Sequence, residues 1–287
     1  MALHLPDVAH TLHVDGVEVT YYDSQQTHRR EGTLVLVHGT GGSAAAHFTW
    51  LLPMLATRQR VIGLDMAMPR AVADGTRRLE LDDLADQVIA VLEEVRPTAP
   101  VTLLGYSLGS PVVTRIASRR PELVDRMVHL NGFLSSDRHR AYRGRLWRRL
   151  FDLQDWESLR LFQFYSAFSP GFLESQEPEL IEGIFERLSF DDFSGAQMEL
   201  NSRIAIVEEA HALTQPTLVI SSRDDLMVPP RAQDLQFAAF EDARLAEIGG
   251  GHASVIERPA QVARLVQDFL DHPTRHEAGT RIPEATV

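Results

Sequence analysis

The sequence predicts an α/β protein, with a mostly parallel twisted sheet flanked by helices and an inserted helical cap. Three observations predict it. Short apolar runs alternate with longer amphipathic stretches, the pattern of strands covered on both faces and joined by helical crossovers. That alternation stops at about Phe133 and resumes after Ala212. Ahead of the first apolar run, a turn-forming Asp15-Gly16 stands between β-prone flanks.

Taken in order, His13 to Tyr22 (HVDGVEVTYY) predicts an antiparallel hairpin. Leu34-Val35-Leu36-Val37 is a continuous apolar run suited to a buried strand, followed by a helix around Phe48 to Thr57 and a second strand at Val61 to Leu64. Leu79 to Val95 places Leu81, Leu84, Ala85, Val88, Ile89, Val91 and Leu92 near the 3.6-residue period of an amphipathic helix, which Pro97 and Pro100 stop. A strand at Val101 to Leu104, a helix at Leu108 to Ser118 and a strand at Met127 to Leu130 follow. The interruption is rich in helix formers and aromatics, among them Trp147, Phe151, Trp156, Phe164, Phe168 and Phe190. At that spacing they read first as core packing, and otherwise as the wall of an apolar pocket. Strands at Thr217 to Ile220 and Arg244 to Ile248, then a closing helix from Pro259 to Asp271, complete the pattern. The expected division is a core over 1–132 and 213–271, a helical cap over 133–212, and a frayed polar tail over 272–287.

The chain has 287 residues, 44% hydrophobic and 24% charged, the profile of a globular protein with a sizeable core. Its net charge of -12 argues against a nucleic-acid partner and against an anionic membrane surface. With no Cys, disulfides, thiolate nucleophiles and Cys-based metal sites are excluded. The opening MALHLPDVAH lacks the basic segment and apolar run of a signal peptide, and no stretch of 18 apolar residues occurs, so a cytoplasmic location is expected.

The sharpest motif is Gly105-Tyr106-Ser107-Leu108-Gly109, set directly between a strand and a helix. A strand reversing sharply into a helix holds the Ser in a strained conformation with its hydroxyl above the sheet, and the flanking glycines let neighbouring chains pass. Such a hydroxyl needs a base and an orienting acid. His252, in Gly249-Gly250-Gly251-His252-Ala253 after the last strand, is the candidate base. His38 reads as a hydrogen-bonding loop residue, and His129 and His211 as packing or surface residues. For the acid, Asp224 and Asp225 compete on the loop after Thr217 to Ile220. Amide donors for a developing oxyanion are expected from Leu108 and from the loop His38-Gly39-Thr40-Gly41-Gly42, with Thr40 as the donor there.

Together these segments resemble the α/β-hydrolase superfamily over about Val14 to Leu270. GYSLG is similar to its nucleophile elbow, HGTGG to its oxyanion loop and GGGHASVIERP to its histidine loop. The family's acid is typically followed four residues later by Pro, which selects Asp225 over Asp224 through Pro229. The resemblance implies a Ser107-His252-Asp225 triad in the family's chain order of Ser, Asp, His, together with a helical lid. Members with an Asp nucleophile are excluded by the Ser. Two departures stand out: Asp65-Met66-Ala67-Met68-Pro69-Arg70 replaces an Arg-Gly-x-Gly-x-Ser loop, and Ser110 follows Gly109 where Gly is frequent.

The expected activity is hydrolysis of a small or medium apolar carboxylic ester or thioester, free or carrier-bound, through an acyl-enzyme and without cofactor or metal. The alternative is a biosynthetic cyclase or carbon–carbon lyase using the same triad and oxyanion hole; a third reading is a binding protein without turnover. Arg138, Arg140, Arg143, Arg145, Arg148 and Arg149 read as a solvated helix face, or else as a guide for an acidic substrate.

Overall fold

The computed structural model describes residues 8–25, 32–97 and 100–282. The opening residues 1–7, on which the signal-peptide reading rests, and 283–287 of the tail lie outside the described residues. The chain begins with β1 (Ala9–Val14), β2 (Val17–Asp23) and β3 (Thr33–Val37), then α1 (Ala44–Phe48), α2 (Leu51–Ala56), β4 (Arg60–Asp65), α3 (Arg70–Ala73) and α4 (Leu81–Val95). It continues through β5 (Val101–Tyr106), α5 (Gly109–Arg119) and β6 (Arg126–Leu130). Next come α6 (Arg138–Asp152), α7 (Trp156–Ala167), α8 (Pro170–Ser175), α9 (Pro178–Glu186), α10 (Asp192–Arg203) and α11 (Val207–His211). The remainder is β7 (Thr217–Ser222), α12 (Pro230–Ala239), β8 (Ala243–Ile248), α13 (Ser254–Glu257), α14 (Pro259–Asp271) and β9 (Arg281–Ile282).

Among the described residues the strands form one nine-stranded sheet in the order β1-β2-β4-β3-β5-β6-β7-β8-β9. β1 and β2 pair antiparallel, as does β2 with β4; every later pairing is parallel. Asp15 and Gly16 turn the hairpin at φ 49° and 79°, the two positive values that a two-residue turn needs to match strand twist. In β3, Val35 and Val37 join one core with α4 and α5, while Leu34 and Leu36 join another with α2 and α14. This period of two explains the unbroken apolar run: both faces of the sheet are buried.

The helix expected at Phe48 to Thr57 is two helices. Ser43 starts α1 by accepting the Ala46 N–H at 3.0 Å. Pro53 sits in the first turn of α2, where its missing N–H is harmless, whereas inside one continuous helix it would break the ladder. Between β6 and β7, α6 to α11 carry no strand among the described residues, only the bridge Ser135–Ala205. Within this segment Trp147 stacks on Phe151 and meets Phe190 edge-on, while Phe164 and Phe168 pack toward Ala253. No helix among the described residues is long and apolar enough to cross a membrane.

The frayed tail expected from His272 is corrected as far as Ile282. β9 pairs parallel with β8, Gly279 N donates to Ala243 O at 2.8 Å, and Arg244 Nε donates to His276 O at 2.7 Å. The polar composition concealed this, because the segment is held mainly by edge-strand backbone bonds and by guanidinium contacts of Arg244, Arg275 and Arg281, with Ile282 packed against the core.

Candidate active site

β5 runs straight into a tight turn at Ser107, whose φ of 54° lies in the left-handed region. A non-glycine residue pays about 1–2 kcal/mol there, and the neighbours enforce it. The Ser107 N–H donates to Leu130 O at 3.0 Å, while a Cβ on Gly105 would collide with the Gly109 backbone and one on Gly109 with the Val37 carbonyl. Across from this turn, a Cβ on Gly39 would lie 2.9 Å from the Ser107 Cβ, so the loop after β3 passes directly against the serine.

The structure brings Ser107, His252 and Asp225 together from segments far apart in the chain. His252 Nε2 lies 2.9 Å from Ser107 Oγ, and Nδ1 lies 2.7 Å from Asp225 Oδ2. A carboxylate only accepts, so Nδ1 carries the ring proton and Nε2 offers its lone pair to the serine hydroxyl. Asp225 is fixed in turn: its Oδ1 accepts the N–H groups of Met227 and Val228, both at 2.8 Å, and Oδ2 accepts Gln233 Nε2 at 3.2 Å. Asp224 is exposed, whereas Asp225 is buried against the His252 ring. The spatial arrangement therefore separates the two aspartates.

Several residues that hold the histidine loop were invisible in the sequence. Tyr106 OH donates to the His252 carbonyl at 2.9 Å, and Asn131 Nδ2 donates to the same oxygen at 2.8 Å and to Ser254 Oγ at 2.9 Å. Asn131 Oδ1 accepts the Ser222 N–H at 3.1 Å, tying the end of β7 to the same side chain. Its φ of 49° at the end of β6 suits Asn better than most residues, the one local signal that could have found it. Buried Glu257 accepts the Gly251 N–H at 3.1 Å, the Ser169 N–H at 2.9 Å and the Ser169 hydroxyl at 2.6 Å. It thus pins the start of α8 to the histidine loop.

Thr40 lies on the loop after β3 and lines the cavity above Ser107; Leu108 is buried at the start of α5. Helix α10 grips the Thr40 loop: Gly41 N–H donates to Gln197 Oε1 and Asn201 Nδ2 to Thr40 Oγ1, each at 2.8 Å. Below the loop, His38 Nε2 accepts the Met66 N–H at 3.0 Å and its Nδ1–H donates to Gly39 O at 2.8 Å. His47 Nδ1 accepts the Gly39 N–H at 3.2 Å. Burial, reinforced by the neighbouring His38 and His252, pushes the His47 pKa down to about 3, and burial lowers that of His38. Both rings are neutral scaffolding, as expected of His38. His129 stacks on Phe240 inside β6, and His211 is exposed.

The cavity over Ser107 encloses about 900 Å³. Thr40, Ser107 and His252 form its floor, while Phe133, Phe168, Phe172, Leu180 and Ile184 supply apolar wall. Arg140 and Arg143 also line it.

A serine raised on a strained turn at the end of a central parallel strand, within reach of an imidazole, defines the class of α/β-hydrolase enzymes. The family model described as alpha/beta hydrolase fold matches residues 32–259, and the chain belongs to that family. It is 34% identical over 242 residues to the pyrrolizixenacetamide deacetylase of Xenorhabdus hominickii, covering 83% of this chain and 90% of that protein. It is 26% identical over 285 residues to the 2-hydroxymuconate semialdehyde hydrolase of Pseudomonas sp. (strain CF600), covering 92% and 94%. Among solved structures, MGS-M2, an alpha/beta hydrolase enzyme from a Medee basin deep-sea metagenome library, superposes with a TM-score of 0.79 at 18% identity, over 91% of this chain and 97% of that one.

Proposed function

We propose that this enzyme is a serine hydrolase that cleaves a small or medium carboxylic acyl bond, an ester, thioester or amide, through an acyl-enzyme. The observation that carries this reading is the 2.9 Å approach of His252 Nε2 to Ser107 Oγ with Asp225 on the opposite ring nitrogen. Ser107 Oγ attacks the carbonyl carbon as His252 Nε2 takes its proton. The carbonyl oxygen, now negative, is held by the amides of Thr40 and Leu108 at the start of α5, where the helix potential is positive. The tetrahedral intermediate collapses, the bond to the leaving group breaks, and imidazolium returns the proton to the departing oxygen, sulfur or nitrogen. Water then repeats the sequence, giving the carboxylic acid and free Ser107. Asp225 keeps the tautomer and balances the imidazolium charge. The largely apolar cavity wall supports an acyl or alkyl chain, and the likeness to a deacetylase supports inclusion of amides.

The experiment is stopped-flow hydrolysis of 4-nitrophenyl esters of graded chain length, with an acetanilide in parallel. The expected result is a burst of nitrophenol equal to one per chain followed by slower turnover, abolished in Ser107→Ala. Absence of any ester or amide turnover would reject the reading and favour the carbon–carbon or cyclase alternative.

A further inference from the structure

The arginine run on α6 divides into two groups with different surroundings. Arg138, Arg145, Arg148 and Arg149 are exposed, and Arg148 pairs with Asp152 at 2.8 Å. Arg140 and Arg143, three apart and therefore on one face of the helix, line the cavity that holds Ser107. Neither forms an ion pair with a carboxylate among the described residues. Arg140 Nη1 donates to Ser135 O at 2.6 Å, and its guanidinium lies 3.3 Å over the Phe133 ring. Arg143 Nη2 donates to Gln163 Oε1 at 2.9 Å and to Ser166 Oγ at 3.1 Å. Its Nε is shut off from solvent and has no partner.

Both guanidiniums are largely withdrawn from water, with Asp225 and (for Arg140) Asp137 acting on them only at longer range and no carboxylate in contact. That is costly, and proteins keep such groups where an anion completes them. The neutral groups around this pair are hydrogen-bond acceptors that orient the forks without cancelling their charge. In a chain of net charge -12, a local pair of cations inside the substrate cavity also selects by sign. Resting on the hydrolase reading above, we propose that Arg140 and Arg143 form an anion subsite that takes a carboxylate at the non-reacting end of the substrate. The substrate is then an acyl compound with an apolar middle and an acidic terminus. The planar guanidinium fork matches a two-oxygen acceptor, and both side chains line the cavity that an entering carboxylate would occupy. Burial pushes the pKa of each guanidinium down to about 10, which leaves both charged at neutral pH.

The test is a selectivity ratio. In one series the acyl group carries the acid: mono-4-nitrophenyl glutarate against the neutral ester of matched length. In the other the leaving group carries it: acetyl-4-hydroxyphenylacetate against its methyl ester. The kcat/KM ratio of acidic to neutral substrate is measured for wild type, Arg140→Gln, Arg143→Gln and the surface control Arg149→Gln. Expected is a wild-type ratio of at least about ten in one series, which says where the acid lies, falling toward one in Arg143→Gln and Arg140→Gln but held in Arg149→Gln. A general loss of activity cancels in the ratio, so a purely structural role would leave it unchanged. A wild-type ratio of one or less in both series, or a ratio that survives both cavity variants, overturns the proposal. Should wild type cleave none of these esters, calorimetric titration with glutarate decides. Binding that is lost in Arg143→Gln keeps the subsite, with the hydrolase reading decided separately by the graded nitrophenyl ester and acetanilide assay. Binding that is absent or survives Arg143→Gln discards the subsite.

Discussion

Asn131 holds His252 by its backbone: the Asn131 side-chain amide donates to the His252 carbonyl oxygen at 2.8 Å. The same side chain bonds Ser254 Oγ and the Ser222 N–H, so one residue at the end of β6 spans the loops that carry Asp225 and His252. Asn131→Ala removes all three bonds and places Ala at φ 49°. A loss of about 3 kcal/mol in urea unfolding is expected, from unsatisfied buried groups and the left-handed backbone together. A stability within about 0.5 kcal/mol of wild type would show that these bonds do not hold the loops.

Helix α10 controls the loop that is proposed to stabilise the oxyanion. Removing Asn201 or Gln197 frees Thr40 Oγ1 or the Gly41 N–H from its partner. Asn201→Ala and Gln197→Ala should each lower kcat by about ten- to a hundredfold, less than deletion of a direct oxyanion donor, with KM changed little. Steady-state kinetics on a nitrophenyl ester reads this directly; a rise in KM at constant kcat would assign both residues to ground-state binding instead.

Glu257 links Ser169 to Gly251 through charge-assisted bonds in a buried setting. Glu257→Ala leaves two backbone N–H groups and a hydroxyl without their acceptor, at a cost of about 3 kcal/mol. Limited proteolysis should then cut near α8 well before the rest of the chain. Cleavage at the wild-type rate would mean that α8 docks by apolar contact alone.

Asp23 should contribute a separable part of the acid sensitivity, beside the buried neutral His38 and His47, whose lowered pKa values also favour unfolding as pH falls below the ordinary 6.5. Burial raises the Asp23 pKa, but bonds from Arg60 (the closer at 2.5 Å) and from the Gln25 N–H outweigh burial and hold it below the ordinary 3.8. A depressed folded-state pKa gives stability that is present above the unfolded value and lost as pH falls through the folded one. Asp23→Asn should therefore be less stable than wild type at pH 7, with the gap closing below about pH 3.8 as wild type loses the same charge. Thermal unfolding across pH 2.5–7 checks this, and a gap independent of pH would refute it.

Local features were legible in the sequence and distant pairings were not. The turn at Ser107 could be read because its requirements, two glycines and a strand-to-helix junction, lie within five consecutive residues. The strands were legible for a similar reason, since both faces are apolar. Helix α12 went unread because its buried face is Ala232, Gln233, Gln236 and Ala239, which has no apolar period. Asn131, Glu257 and Asn201 act on partners that lie far off in the sequence, and a single polar residue gives no hint of which segment the fold will bring to it. The same limit hid Arg140 and Arg143 among their exposed neighbours: composition showed a basic run, and only the helix rotation shows which members face inward.

The central claim is that Ser107 is a nucleophile activated by His252. Intact-mass and peptide mapping after treatment with a fluorophosphonate tests it most directly, because the reagent reports attack by an activated serine without knowledge of the substrate. The account predicts one adduct per chain, on the peptide containing Ser107, strongly slowed in His252→Ala and absent in Ser107→Ala. A folded wild-type protein that stays unlabelled, or one labelled equally fast without the imidazole, would contradict it.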